Sequence, residues 1–292
     1  MNFVILTVSL IGLIAASVSD LRKREVPDWL NYGMIVCGFF LNLLYTIYMN
    51  DFRFLFYSAL GFTGSFALAY IMFYSGQWGG GDSKMIMALG TLLGLDIASS
   101  FIPFIAILYV NILFIGAFYG IVWIFSLSFR NFNGVKKRMT FYLHKYKKSR
   151  LLTGLVLLVF IGVILLLPQV AVQRDLKYLL AVTLIFLYFM QYLWLIVKAV
   201  EDISMIKYIA PDKLTEGDWI VDDVVIDKEY VCGPKDLGIK KYQIKKLMQF
   251  KKEKKIEKIK IKEGIPFIPS FLLAFLYSLV FKNILIFNFI IK

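Results

Sequence analysis

Eight apolar stretches, at about residues 2–18, 29–49, 54–76, 84–100, 101–128, 151–168, 178–197 and 266–290, constrain this chain more than any other feature. A helix needs a run of about 17–25 predominantly apolar residues to span a bilayer, and backbone in lipid must satisfy its own hydrogen bonds. The expected fold class is therefore an all-α membrane protein, a polytopic bundle of about eight transmembrane helices. The fourth stretch is the weakest, because Asp96 interrupts it, and Asn283 and Asn288 break the eighth. A mean hydropathy of +0.71 sets the chain apart from ordinary soluble domains.

Loop charge fixes the expected orientation. The first apolar stretch has no basic residues before it, while Arg22, Lys23 and Arg24 follow it. This is the reverse of a secretory signal, so it reads as a retained helix with its N-terminus outside. Residues 130–150 hold Arg130, Lys136, Lys137, Arg138, Lys145, Lys147, Lys148 and Arg150 with no acid, and 198–265 holds 16 lysines. Counting helices alternately places all three basic segments in the cytoplasm, as the Lys/Arg bias of membrane proteins requires. The net charge of +13 follows from these segments. It implies attraction to anionic head groups of the lipid bilayer and, without a recognition motif, no nucleic acid partner.

The polar segment 198–265 reads as a small α+β cytoplasmic insert. Short strands are expected around Asp218–Val221 and Val224–Ile226, an amphipathic helix over Lys240–Phe250, and a strand at Lys258–Lys262. Cys37 and Cys232 are far apart and form no C-x-x-C pair, so no zinc site is expected and no metal or cofactor is implied. His144, the single histidine, reads as a solvated loop residue, which makes a Ser-His-Asp or Cys-His site improbable.

Of the twenty acidic residues, thirteen lie in the insert. The other seven sort by topology: Asp51, Asp96 and Asp175 fall outside, and Asp20, Glu25, Asp28 and Asp82 inside. Asp20 ends the first apolar run, and Asp82 opens the fourth behind Gly79-Gly80-Gly81. Both sit at one depth on one face of the membrane. Two facing carboxylates share a proton, and such a pair can activate water and protonate a scissile carbonyl. Each residue also has a plain structural reading. Asp82 suits a helix N-terminus; Asp20 suits a polar stop or a partner for Arg22–Arg24. Lys84 suits a snorkelling interface residue.

Gly79-Gly80-Gly81-Asp82 matches the G-x-G-D motif of a family of membrane aspartyl proteases. The run from Ala16 to Asp28, with Asp20 followed by Arg22-Lys23-Arg24, is similar to the first aspartate region of that family's prepilin peptidase branch. Gly264-Ile265-Pro266-Phe267-Ile268-Pro269 resembles the C-terminal region of archaeal preflagellin peptidases. The resemblance covers roughly residues 5–130. It implies an aspartic endopeptidase that cuts short basic leaders from preflagellin or type IV prepilin precursors, just before their hydrophobic segment. It implies Asp20 and Asp82 as the catalytic pair, with Gly79, Gly81 and Lys84 as motif support beside the substrate. Bacterial relatives often carry paired C-x-x-C sites and N-methylate their product; without those cysteines, no zinc is expected here. Typical preflagellin peptidases have about six helices, so the pair at 151–197 reads as additional, and flagellin and pilin substrates stay open.

The implied organisation is a catalytic membrane core at 1–129 (helices 1–5), a basic cytoplasmic loop at 130–150, two additional transmembrane helices at 151–197, the insert at 198–265 and a C-terminal transmembrane helix at 266–292. The rival readings are a transporter or channel using membrane-edge carboxylates, and a membrane-anchored interaction protein working through its insert. Transporters favour internal repeats and midplane charge; no repeat is visible here, and the acids lie at helix ends with Asp96 as the exception.

Overall fold

The computed structural model describes residues 2–98, 102–168, 173–281 and 283. Its elements are α1 (Phe3–Lys23), α2 (Asp28–Met49), α3 (Arg53–Tyr74), α4 (Gly80–Leu93), α5 (Phe104–Arg130), α6 (Phe132–Lys145), α7 (Lys147–Leu166), α8 (Arg174–Val200), β1 (Ile206–Ile209), β2 (Trp219–Ile220), β3 (Val224–Ile226), β4 (Glu229–Cys232), α9 (Lys241–Lys252), β5 (Ile259–Lys262) and α10 (Ile268–Phe281). Two compact units form: Met1–Trp123 with Ala210–Ile259 and Gly264–Lys292, and Ile124–Ile209 with Lys260–Glu263.

Among the described residues, six helices are long and apolar enough to cross a bilayer, namely α1, α2, α3, α5, α7 and α8. The chain is thus a multi-pass membrane protein, and the described residues supply six of the eight expected spans. The fourth stretch, expected at 84–100, is helical only from Gly80 to Leu93 and stops at Gly94, whose positive φ of 66° ends the helix. α10 has 14 described residues, and the rest of the eighth stretch, with Asn288, lies outside the described residues.

A short α4 is tolerated because it is wrapped by protein. Met85, Ile86, Ala88, Leu89 and Leu92 are all fully buried. α2 and α3 flank it at very close range: a Cβ on Gly61 of α3 would lie 2.1 Å from the Gly90 carbonyl oxygen of α4. Small residues at such crossings let helix backbones approach in a membrane. The terminal carbonyls of α4 then find donors across these contacts. Asn42 Nδ2 donates to the Thr91 and Leu92 carbonyls, each at 3.2 Å, and Ser58 Oγ donates to Thr91 at 2.7 Å. Helix ends at membrane depth need such partners.

Helix ends at both faces follow local chemistry. Asn2 caps α1, its side chain accepting from the Val4 N–H at 3.0 Å. α1 closes at Arg24, which takes a left-handed conformation (φ 58°) and donates its N–H to the Asp20 carbonyl. Pro27 then opens α2, its fixed φ fitting a helix start. At the other end, the Leu95 N–H donates to the Tyr57 carbonyl at 2.8 Å, next to the Asp51–Arg53 ion pair of 2.7 Å. Asp51 and Asp96 therefore share one end of the unit, and Asp20 and Asp82 lie at the other.

The polar part of this unit carries a β3–β4 hairpin, with Val225 opposite Tyr230 and Ile226 opposite Glu229. Asp227 and Lys228 turn it, both with positive φ. Gln243 pins α9 to β4: its Nε2 donates to the Val231 carbonyl at 2.9 Å while its Oε1 accepts from the Lys240 N–H. Cys232 is fully buried, and burial pushes its thiol up to about 11, which keeps it protonated. The expected strands and helix of the insert form where anticipated, and β1 and β4 are added. Within 198–265, Ala210–Ile259 belongs to the first unit and the flanking residues up to Ile209 and Lys260–Glu263 to the second.

In the second unit, residues 130–150, expected as a loop, are helical: α6 is a short amphipathic helix and α7 begins at Lys147. His144 is exposed, on that helix, with Nδ1 2.9 Å from the Thr140 carbonyl oxygen. α7 has no buried residue, the profile of a helix whose solvent is lipid. α6 is tied to the end of α8 by Arg138, whose Nε lies 2.6 Å from Asp202 Oδ2. β1 pairs with β5 beyond it.

Candidate active site

Asp20 and Asp82 come from different helices of the first unit, α1 and α4, and the charge of Asp20 reaches Asp82. Asp20 lies in the last turn of α1 and is only 6% exposed. Its Oδ2 accepts from the backbone N–H of Ile268 at 2.9 Å, so this carboxylate caps the first turn of α10. Asp82 lies in the first turn of α4, ahead of its apolar part and outside the six spanning helices, and keeps partial solvent access. Its Oδ2 accepts from the Gly79 N–H at 3.0 Å. The structural reading of Asp82 as a helix-start acid is thus correct, and it does not exclude a second role.

Burial, and next the negative charge of Asp20, push the Asp82 carboxyl from 3.8 up to about 7. A carboxylate in the field of a second negative charge ionises less readily, which favours the protonated form of Asp82.

Lys84 does not point at Asp82. Its Nζ is 2.5 Å from Asp28 Oδ1 and 5.3 Å from the Tyr32 ring centroid, so it ties α4 to the start of α2. The Asp28 carboxylate is largely exposed, and such pairs contribute less than about 1 kcal/mol. Lys84→Met is accordingly expected to leave the thermal midpoint within about 3 °C of the parent, as a melting curve of the purified protein would read. Arg24 Nη1 donates to the Gly264 carbonyl at 2.7 Å, which anchors the segment leading into α10.

The glycine run lies open. A Cβ on Gly81 would come nearest to Val26, at 3.5 Å, one on Gly79 would meet Asp82 Oδ2 at 3.4 Å, and one on Gly80 would meet Phe73 at 4.0 Å. None of the three has a positive φ. The chain's own fold therefore does not demand glycine at Gly81.

Two contributors were not legible in the sequence. Trp78 is 4% exposed and packs on Phe271 of α10 with centroids 5.5 Å apart. The Ile268 N–H on Asp20 is a backbone group; Pro266 and Pro269 mark the start of α10, but nothing in the sequence links that start to Asp20. A cavity of about 300 Å³ in the second unit, lined by residues including His144, Arg150 and Tyr192, contains no acid and none of the expected site residues.

Residues 7–127 match the model of the Type IV leader peptidase family. Over 141 residues the chain is 34% identical to a preflagellin peptidase of Methanococcus maripaludis, covering 44% of this chain and 59% of that protein. Over 92 residues it is 38% identical to a preflagellin peptidase of Methanocaldococcus jannaschii, covering 32% and 38%. Over 86 residues it is 33% identical to a prepilin peptidase of Methanothermobacter thermautotrophicus, covering 30% and 22%. The chain thus spans well under two thirds of the length of these relatives, and the segment that matches the Type IV leader peptidase family contains both Asp20 and Asp82.

Proposed function

We propose that this chain is a membrane aspartyl endopeptidase that removes short basic leader peptides from preflagellin-like or type IV prepilin-like precursors at the cytoplasmic face of the membrane. What supports the reading is that Asp82, with its proton affinity raised by burial and by the charge of Asp20, lies with Asp20 inside the segment that matches the leader peptidase family. The names of the relatives supply the substrate class. The basic loops support the orientation, with the N-terminus outside and the two aspartates at the cytoplasmic end.

The chemistry follows from the shared proton. The ionised carboxylate takes a proton from a water as its oxygen attacks the scissile carbonyl carbon. The protonated carboxyl donates to the carbonyl oxygen, and a proton then passes to the leaving amine as the C–N bond breaks. Which aspartate is base and which acid is a property of the pair. Lipid holds the apolar segment of the precursor while water reaches the pair from the membrane edge. The transporter alternative is not favoured, because its two acids would serve no transport path at one end of the bundle.

The test is co-expression with a precursor carrying a basic leader, read as a size shift on cleavage. Absence of any shift with either a preflagellin or a prepilin precursor would sink the reading. Its pH dependence is fixed by the same pair. The shared proton is held below about pH 7 and lost above it, so the cleavage rate is expected to fall about tenfold per pH unit on the alkaline side. Because the native carboxyl binds its proton more tightly than the unfolded one at 3.8, its contribution to stability is complete below about pH 4 and is lost as pH rises through 7. Cleavage rates in proteoliposomes between pH 5 and 9 measure the first effect.

A further inference from the structure

Tyr119 and Trp123 of α5 carry two polar atoms that the proposed chemistry does not use. The Tyr119 hydroxyl and the Trp123 indole N–H are both buried and both lack a hydrogen-bond partner among the described residues. They are one helical turn apart, with ring centroids at 5.8 Å. Tyrosine and tryptophan near a membrane boundary usually belong to an aromatic belt, with the polar tip among head groups. Here the tips are covered in the unliganded chain, and leaving a buried donor unpaired is costly, so a ligand that displaces the cover and accepts from both donors gains by doing so.

Their place in the unit says what that group meets. Gly116, on the same face of α5 one turn before Tyr119, lies against Phe267, with a Cβ there falling 2.5 Å from the ring. The next residue, Ile268, gives its N–H to Asp20. The face of α5 that carries Gly116, Tyr119 and Trp123 therefore borders the start of α10, where Asp20 is held, and Tyr119 lies within the field of the Asp20 charge.

We infer that the Tyr119 hydroxyl and the Trp123 indole N–H are a pair of donors for backbone carbonyls of an extended peptide laid along α5 toward Asp20. Four residues of helix advance about 6 Å. Carbonyls on one edge of an extended strand recur every two residues, about 6.6 Å. The two donors match that spacing and read no side chain, which suits a binding surface for leaders of differing sequence. This inference rests on the peptidase reading for the identity of the peptide, but binding and cleavage can be measured apart.

The experiment uses the full chain in lipid nanodiscs and a fluorescent peptide with a basic leader followed by an apolar segment. Tyr119→Phe and Trp123→Phe are compared with the parent by anisotropy titration, by cleavage kinetics and by thermal midpoint. Each variant is expected to raise Kd and KM about tenfold, the effect of one hydrogen bond of about 1.4 kcal/mol, while kcat changes less than about threefold. The midpoint of Tyr119→Phe is expected to stay or rise, since an unpaired buried hydroxyl is removed; a hydroxyl with a structural role would lower it. Parent-like Kd and KM in Tyr119→Phe would overturn the donor pair and leave the peptidase standing. Peptide bound more weakly by the variants but never cut would uphold the donors and remove the peptidase. A parent chain that binds no peptide would remove both.

Discussion

Asp20→Asn and Asp82→Asn, made singly, are each expected to lower leader cleavage by at least about 100-fold, the range for losing a general acid or base. Asparagine is the informative replacement because both aspartates also hold structure. Asp20 accepts from the Ile268 N–H and Asp82 from the Gly79 N–H, and an amide oxygen can accept both bonds. The substitutions therefore keep the two caps and remove only the ability to ionise. Asp82→Ala would mix the two effects, adding a cap loss of about 1 kcal/mol. The measurement is precursor processing at equal membrane levels of parent and variant. Full processing by either variant would falsify the shared-proton assignment. The pair acts as one unit, so the double variant is expected to be no worse than either single.

What the sequence could reveal depended on how local the governing physics is. Apolar runs and basic loops are local, so α1, α2, α3, α5 and α8 form near the expected places. The strand at Ile259–Lys262 and the helix at Lys241–Lys252 also follow from short periodicities. The fourth stretch misled because its length is set by its neighbours. Asn42 and Ser58 satisfy the end of α4, and these donors come from helices about 35–50 residues upstream, a separation no window of residues reports. The helical character of 130–150 was hidden for a related reason: its Lys and Arg read as loop charge, but Val135 and Tyr142 form a buried stripe against α8 at helical spacing. For the candidate site, a count of scarce acids and their sides of the membrane supplied Asp20 and Asp82. The partners of Asp20, the Ile268 N–H above all, were out of reach because backbone donors carry no letter in a sequence. Lys84 was legible as an interface residue, while its pairing with Asp28 required the close crossing of α2 and α4.

Gly61→Ala and Gly81→Ala are expected to part company. A Cβ on Gly61 would lie 2.1 Å from the Gly90 carbonyl oxygen and 2.9 Å from the Gly94 Cα. Both are backbone atoms, so α4 as a whole must retreat. Overpacking of this kind costs about 1–3 kcal/mol, and the retreat also lengthens the Asn42 and Ser58 bonds to the end of α4. A fall in thermal midpoint of roughly 5–10 °C follows, and cleavage is expected to fall with it, because α4 carries Asp82. Gly81→Ala places its methyl at ordinary contact, 3.5 Å from Val26. Alanine is favoured over glycine in a helix by about 1 kcal/mol, so the midpoint is expected to hold or rise. Yet the open backbone at Gly79–Gly81, beside Asp82, is where the proposed enzyme would take its extended leader, and a methyl there intrudes on the bound peptide instead of on the fold. Cleavage by Gly81→Ala is expected to drop about tenfold through KM, the cost of losing roughly 1.4 kcal/mol of binding. Melting curves and cleavage kinetics on the two variants separate these roles: a stable Gly81→Ala that cuts as well as its parent would move the leader off the glycine run, and a stable Gly61→Ala would mean that α3 and α4 are not held as closely as their crossing requires.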